Sequence, residues 1–386
     1  MKRIYSIDVL RGIVMIIMAL DHVRDLMHVT SITEQPTNLA TTTPALFFTR
    51  WITYLCAPTF VFLAGTSAFL SLNARNDIAA TRRFLFTRGL WLIVLEFTVV
   101  NFGLWFDIRF TVFLFNVIAA IGFGFIVLSL LLKLPVKAIG CIGLAIICLH
   151  NLAPLVPGAE TTLLKKIGMP LLSPTAFPFG NGKMFVMGYP PIPWLGIMLV
   201  GFAFGKIWVA AGRERSKICL RTGMAAILLF LLIRGINGYG NGVAWSAQQD
   251  STYTLLSFLN VTKYPPSLDF TLLFLGLMLV LLAYLEGMQN RFTAVAAVFG
   301  KVPLFYFIVH FYLIHILVFL MLFLQGFGVS DMVFGFNFGR PMTGSGLSLW
   351  AVYLVWISVV ALMYPLCKWY GNYKAAHKSA TWLRYL

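Results

Sequence analysis

The chain has 386 residues, of which 60% are hydrophobic and only 11% are charged, against about 25% charged in a soluble domain. Many apolar runs reach the ~20 residues that cross a bilayer, which excludes a soluble globular protein and predicts an all-α, polytopic membrane helix bundle. The formal net charge of +16 is read as positive-inside topology and contact with anionic membrane lipids, with no nucleic-acid partner.

The first predicted span, 8–28, lies in SIDVLRGIVMIIMALDHVRDLMH (residues 6–28). Lys2 and Arg3 before an apolar run imitate a signal peptide, but no small-x-small cleavage site follows Leu20, so the run is read as a retained helix. Asp8, Arg11, Met15, Met18, His22 and Asp25 recur at helical spacing and share one face. Arg11 and His22 are about 16 Å apart along that face. Asp8 and Arg11 can pair, Asp25 can orient the His22 ring, and Asp21, Arg24 and His28 form a second line alongside. Interfacial anchoring accounts for Arg11 and Arg24. It accounts poorly for Asp21 and His22, because a charge at mid-membrane costs about 2.5–3.5 kcal/mol.

Nine further spans are predicted at 45–71, 85–105, 110–132, 136–154, 189–210, 218–236, 268–286, 303–325 and 347–368. Arg50 lies near the start of the second, and Glu96 and Asn101 lie within the third. The ninth, 303–325, carries His310 and His315. Five residues turn a helix by about 140°, so at most one of the two faces a common site; Tyr306, four residues before His310, favours His310. Lys and Arg crowd the connections on one side of these ten spans and are sparse on the other, which places both termini in the cytoplasm. The opposite side holds three long loops, 29–44, 155–188 and 237–267, rich in Gly, Pro, Thr, Asn and aromatics. They suit either an interfacial aromatic belt or a sugar-binding surface. Residues 1–386 are read as a single membrane domain with a short cytoplasmic tail, 371–386, able to lie along the interface. The five cysteines are scattered, and no HxxxH, HExxH or CxxC pair is present, so neither a disulfide framework nor a metal is expected. No P-loop, dinucleotide or nucleophile-elbow motif occurs; any catalysis would fall to His and acidic groups.

Several stretches resemble transmembrane acyltransferases related to heparan-alpha-glucosaminide N-acetyltransferase, above all the bacterial relatives of its catalytic domain. They are Asp8-x-x-Arg11-Gly12 before an apolar run, ALDHVRD (19–25), LFFTRWITYLCAPTFVFLAGTSAF (46–69), PIPWLGIMLVGFAFG (191–205), LNVTKYPPSLDFTLLFLG (259–276) and GKVPLFYFIVHFYLIH (300–315). Arg11, ten residues and then His22 is also similar to the Arg-x10-His pattern of the second large group of membrane acyltransferases, which O-acylate surface sugars. The resemblance implies transfer of an acetyl group from cytosolic acetyl-CoA to a sugar or amino-sugar acceptor at the outer face of a bacterial inner membrane, and leaves room for a homodimer. Lumenal members are thought to use a His in the loop before the second span. Here that loop, 29–44, has none, which turns attention to His22, with His28 as the nearest alternative.

An acyl transfer needs a base or an acyl carrier, and imidazole serves as either near neutral pH. His22 is the expected catalytic residue, with Asp25 or Asp21 orienting it and His310 in a second rank. Arg11, with Arg82 and Arg83, is expected to attract the CoA phosphates. His28, Arg50, Tyr306 and Lys263 are expected at the acceptor. The rival reading is a transporter or flippase for a small polar or sugar-lipid solute, in which the same His and Asp groups relay protons.

Overall fold

The structure is a computed structural model and describes residues 4–155, 163–209, 212–377, 379, 380 and 383. Its helices are α1 (Tyr5–Met27), α2 (Pro44–Thr53), α3 (Cys56–Arg75), α4 (Ile78–Leu95), α5 (Asn101–Trp105), α6 (Val117–Leu131), α7 (Val136–Leu149), α8 (Leu163–Leu172), α9 (Pro191–Phe204), α10 (Gly212–Ile236), α11 (Ser251–Leu259), α12 (Leu268–Leu285), α13 (Arg291–Gly300), α14 (Pro303–Leu324) and α15 (Leu349–Ala376). Among the described residues, eight helical stretches are long and apolar enough to cross a membrane, with α2 and α3 counted as one and α4 continuing through a π-helical turn into α5. The protein is therefore an integral membrane protein with an all-α framework. The 23-residue α1 is long enough as well, but its charges set it apart from the apolar group. The apolar α6 has only 15 residues.

Helix α1 is the hub, packing against α2, α3, α12, α13, α14 and α15. Its crossing with α13 is a backbone contact. A Cβ on Gly12 would lie 1.7 Å from the Ala296 carbonyl oxygen, and one on Gly300 would lie 1.8 Å from that of Asp8. Only hydrogen fits at either position, and such small-residue contacts let membrane helices approach closely. Helices α3 and α9 meet the same way through Gly65 and Gly201. The far end of α1 is held by the loop before α15. Leu347 N–H donates to Met27 O at 2.7 Å, and Leu347 O accepts from Val29 N–H at 3.0 Å. Arg340, buried in that loop, donates to the carbonyls of Leu26 and His28 and to Ser31 Oγ.

The structure corrects several expected elements. The span at 110–132 is not helical throughout: Val112–Phe115 is a strand, β1, and the helix begins at Val117. β1 pairs in parallel with β3 (Met184–Met187), which pairs antiparallel with β2 (Thr175–Pro178), giving the order β1-β3-β2. Two buried polar groups explain the break. Asn101 donates to Val112 O at 3.0 Å and accepts from Leu114 N–H at 3.1 Å, holding β1 extended. Glu96 accepts the Ala119 N–H at 2.9 Å, fixing the first turn of α6. The loop 155–188 accordingly carries α8 and a hairpin. The connection after α12 contains the short α13. The expected tail is no separate element at its start, since α15 runs on to Ala376; residues 378, 381, 382 and 384–386 lie outside the described residues.

Candidate active site

Two cavities follow the stripe face of α1. The first, of about 350 Å³, lies toward the amino-terminal half and is lined by Arg11, Met15, Ser67, Ser71, Arg88 and apolar side chains of α3, α4, α6 and α14. The second, of about 360 Å³, lies toward the carboxy-terminal half and is lined among others by Met18, Asp21, His22, Asp25, Arg50, Thr53, Asn116, Tyr189, Lys263 and Tyr264. Phe60, Val117 and Phe307 line both, so the cavities lie next to one another with these apolar side chains between them. Five of the six stripe residues therefore face this route; Asp8 remains outside it, 3.9 Å from Arg11.

The imidazole pair is the central feature. His22 Nδ1 lies 2.6 Å from His310 Nε2, and His310 Nδ1 lies 2.8 Å from Tyr306 O. A carbonyl only accepts, so His310 Nδ1 carries hydrogen. In a neutral ring its Nε2 then accepts, and the hydrogen between the rings belongs to His22 Nδ1. His22 is thereby left with an unprotonated Nε2 on a ring that lines the second cavity. Phe311 stacks on His22 at 4.2 Å between centroids, and Tyr306 stacks on His310 at 5.2 Å. The pair is thus held by π-faces as well as by its hydrogen bonds.

The carboxylates expected to orient His22 do something else. Arg24 donates to Asp21 and Asp25, each at 2.7 Å. Arg50 donates to both oxygens of Asp21 at 2.6 and 2.7 Å and lies 3.6 Å from Asp25. Thr53 adds a hydrogen bond to Asp21 at 2.8 Å. Two guanidiniums outcompete a neutral imidazole for two buried carboxylates, and His310 is the ring's hydrogen-bond partner instead. Lys263 completes the wall, with its ammonium 5.4 Å from the centroid of Tyr54 and 5.1 Å from that of Tyr264. Burial would raise the Tyr264 phenol, but Lys263 and Arg50 outweigh it and hold the group below its ordinary value of 10.0.

The other expected residues are dispersed. His28 lines neither cavity and its Nδ1 meets Thr30. Tyr306 contributes its carbonyl and ring face, while its buried hydroxyl has no hydrogen-bond partner among the described residues. His315 turns away, stacking on Phe106 at 4.4 Å. Arg82 donates to Ser129 O at 2.9 Å and Arg83 is exposed; neither lines the first cavity. Arg11 does, bonded to Ser67 Oγ and Leu63 O. Arg88, Asn116 and Tyr189 were not foreseen as lining residues. Arg88 follows Arg82 by six residues, more than one turn and a half, which was the available signal that it faces elsewhere. Among the described residues no group of His, Cys, Asp and Glu is arranged to hold a metal.

No curated protein matches the chain. The family described as heparan-alpha-glucosaminide N-acetyltransferase, catalytic, matches residues 3–236. That stretch contains α1 with His22, the arginine–carboxylate cluster of Asp21, Asp25 and Arg50, and Phe60 and Val117, two of the three side chains that line both cavities. Covering more than half of the sequence, the match shows that this chain belongs to the heparan-alpha-glucosaminide N-acetyltransferase catalytic family.

Proposed function

We propose that the protein is a membrane acetyltransferase that takes acetyl from cytosolic acetyl-CoA and delivers it to a sugar or amino-sugar acceptor at the opposite face, with His22 as the reacting base or acyl carrier. The observation that carries this reading is the His22–His310 contact, with the His22 ring lining a cavity that shares Phe60, Val117 and Phe307 with a second cavity reaching toward the other end of α1. In the proposed topology α1 and α6 join the eight apolar stretches to make ten spans. Both termini are cytoplasmic, and the membrane is a bacterial inner membrane. The first cavity then opens toward the cytoplasm, where Arg11 and Arg88 stand at a largely apolar wall suited to a thioester arm.

The residues divide the chemistry. Arg11 and Arg88 attract the anionic donor. Phe60, Val117 and Phe307 exclude water between the cavities while admitting a narrow acyl thioester. At the second cavity His22 Nε2 takes the proton of the acceptor hydroxyl or amine as the acetyl–oxygen or acetyl–nitrogen bond forms and the acetyl–sulfur bond breaks; the departing thiolate then receives that proton. If His22 instead carries the acyl group, the acetyl–Nε2 bond forms as the acetyl–sulfur bond breaks and CoA leaves as the thiolate; the acceptor's attack then breaks the acetyl–Nε2 bond, and the acceptor's proton passes through the freed Nε2 to the thiolate. His310 accepts from Nδ1 throughout, stabilising positive charge on the His22 ring. The arginine–carboxylate cluster fixes the wall opposite.

Purified protein incubated with radiolabelled acetyl-CoA, beside His22→Ala, tests the reading. CoA release or protein labelling in the wild type alone supports it. Full transfer by a well-folded His22→Ala variant sinks the histidine mechanism. Failure of the folded wild type to bind or consume acetyl-CoA, with solute uptake in vesicles, returns the reading to a transporter.

A further inference from the structure

The charges around the second cavity do not balance. Of its described lining residues, Asp21, Asp25, Arg50 and Lys263 are charged, and Arg24 joins them through its ion pairs with both carboxylates. Two guanidiniums and two carboxylates cross-pair at distances from 2.6 to 3.6 Å. That square is neutral, and it leaves the Lys263 ammonium over. Among the described residues no carboxylate forms an ion pair with Lys263, although the residue is only 5% exposed. Buried charges are paired unless a ligand supplies the partner, so this one marks a place where negative charge is received.

Aromatic rings and backbone bonds hold the cation in place. The ammonium lies 5.4 Å from the Tyr54 centroid and 5.1 Å from that of Tyr264, inside the ~6 Å reach of a cation–π contact. Tyr264 is itself fixed by Tyr189, with the two hydroxyls 3.4 Å apart and the rings edge to face at 5.2 Å. The chain just before Lys263 is pinned on both sides. Thr262 N–H donates to Asn241 Oδ1 at 2.8 Å, and Thr262 O accepts from Ser267 N–H at 3.0 Å. An ammonium has three donors. Ring faces steady its charge and leave donors over for a ligand oxygen.

We infer that Lys263 is the oxyanion-binding residue of the acetyl transfer assigned to His22 above, an inference that rests on that reading. Both residues line the second cavity. When the acceptor's oxygen or nitrogen bonds the acetyl carbon, the carbonyl π pair moves onto its oxygen while His22 Nε2 takes the acceptor's proton. The Lys263 ammonium holds that negative oxygen. When the pair returns, the acetyl–sulfur bond breaks, and the thiolate leaves and receives the proton from His22. A fixed cation in a water-poor site is worth far more than in water to a charge that appears only in the transition state. A permanent anionic group is a poorer match, because it would meet the Asp25 carboxylate, with a side chain 38% exposed, in the same cavity. A single oxygen, charged only during the reaction, needs one ammonium.

Lys263→Met in the purified full chain tests the assignment, since it keeps an apolar stem between the two rings and removes the charge. Its melting temperature in detergent should equal or exceed that of wild type, because the lost charge has no counter-ion to abandon. Steady-state transfer from acetyl-CoA to glucosamine should fall about 100- to 1,000-fold in kcat, with the KM values for both substrates little changed. Lys263→Arg, which keeps a cation, should retain more activity than Lys263→Met. A folded Lys263→Met variant with wild-type kcat overturns the inference. A loss confined to KM for glucosamine also overturns it and makes Lys263 an acceptor contact. A clear drop in melting temperature does so too, making Lys263 a structural counter-ion of the carboxylates. The two readings fail separately: loss of transfer in His22→Ala with full transfer in Lys263→Met removes the oxyanion assignment alone, whereas a folded wild type that transfers nothing removes both.

Discussion

Replacing His310 by Phe keeps a ring of similar size between Tyr306 and Phe311 and removes the acceptor for His22 Nδ1–H. That hydrogen bond is 2.6 Å long and involves a fully buried His310. A buried donor left without a partner costs about 1–3 kcal/mol, and His22 escapes that cost by moving its hydrogen to Nε2, the atom that acts as base or acyl carrier in the proposed mechanism. At 1.36 kcal/mol per factor of ten, the reactive tautomer and the stabilised cationic ring should be depleted about 5- to 150-fold. The assay is steady-state transfer of radiolabelled acetyl from acetyl-CoA to glucosamine. The expected result is a fall of that size in kcat with KM for acetyl-CoA little changed, since His310 does not line the first cavity. His310→Gln, which can present an amide oxygen, should recover part of the loss. A folded His310→Phe variant with wild-type kcat and an unaltered pH–rate profile would refute the tautomer argument. A loss confined to KM would refute the assignment of the pair to the chemical step.

Gly12→Ala should destabilise the protein by about 3 kcal/mol or more, because the added carbon meets backbone and forces two helices apart; the melting temperature in detergent and the yield of monodisperse protein report it. Arg50→Ala strips Asp21 of two short hydrogen bonds in a buried cluster, at an expected cost of about 3–5 kcal/mol. Asp21→Asn in the same background should return part of that stability. Asp107 sets an acid limit. Partial burial would raise its carboxyl, but the hydroxyl and N–H of Thr111 and the N–H of Arg109 hold it below the ordinary 3.8. A carboxyl depressed in the folded state contributes stability above its unfolded value and loses it as pH falls through the lower folded value. The melting difference between wild type and Asp107→Asn should therefore be constant above about pH 5 and shrink below about pH 4; a constant difference down to pH 2 would contradict it.

The membrane framework was legible because runs such as 303–325 are apolar over a bilayer's length, and nothing local competes with that signal. The strand β1 was not, since VFLF reads equally as buried helix or strand, and the deciding partners, Asn101 in the preceding helix and Met184–Met187 about seventy residues on, lie outside the run itself. The short α13 escaped because ten residues are too few to register as a span. Within the site, spacing placed Met18, His22 and Asp25 on one face, a property of a single helix. What spacing could not give was which groups across the bundle would claim them. Asp25 stands one turn from His22 in sequence terms, but Arg24 and Arg50 are better partners for a buried carboxylate. His310, almost three hundred residues away, supplies the hydrogen-bond acceptor instead. Arg82 and Arg83 were attractive as charges alone; their directions depend on the packing of α4 against α6.

The glycine contact between α1 and α13 bears on how anything could traverse the bilayer here. A solute pump must expose its binding pocket first to one compartment and then to the other, which requires large elements to slide or rock. A helix locked by carbonyl oxygens lying where a methyl group would sit has no slack for sliding at that crossing, and its far end is fastened by Arg340 and Leu347. A chemistry that passes a two-carbon fragment along a stationary wall asks for no such travel. The side chains between the two cavities, Phe60, Val117 and Phe307, would have to give way.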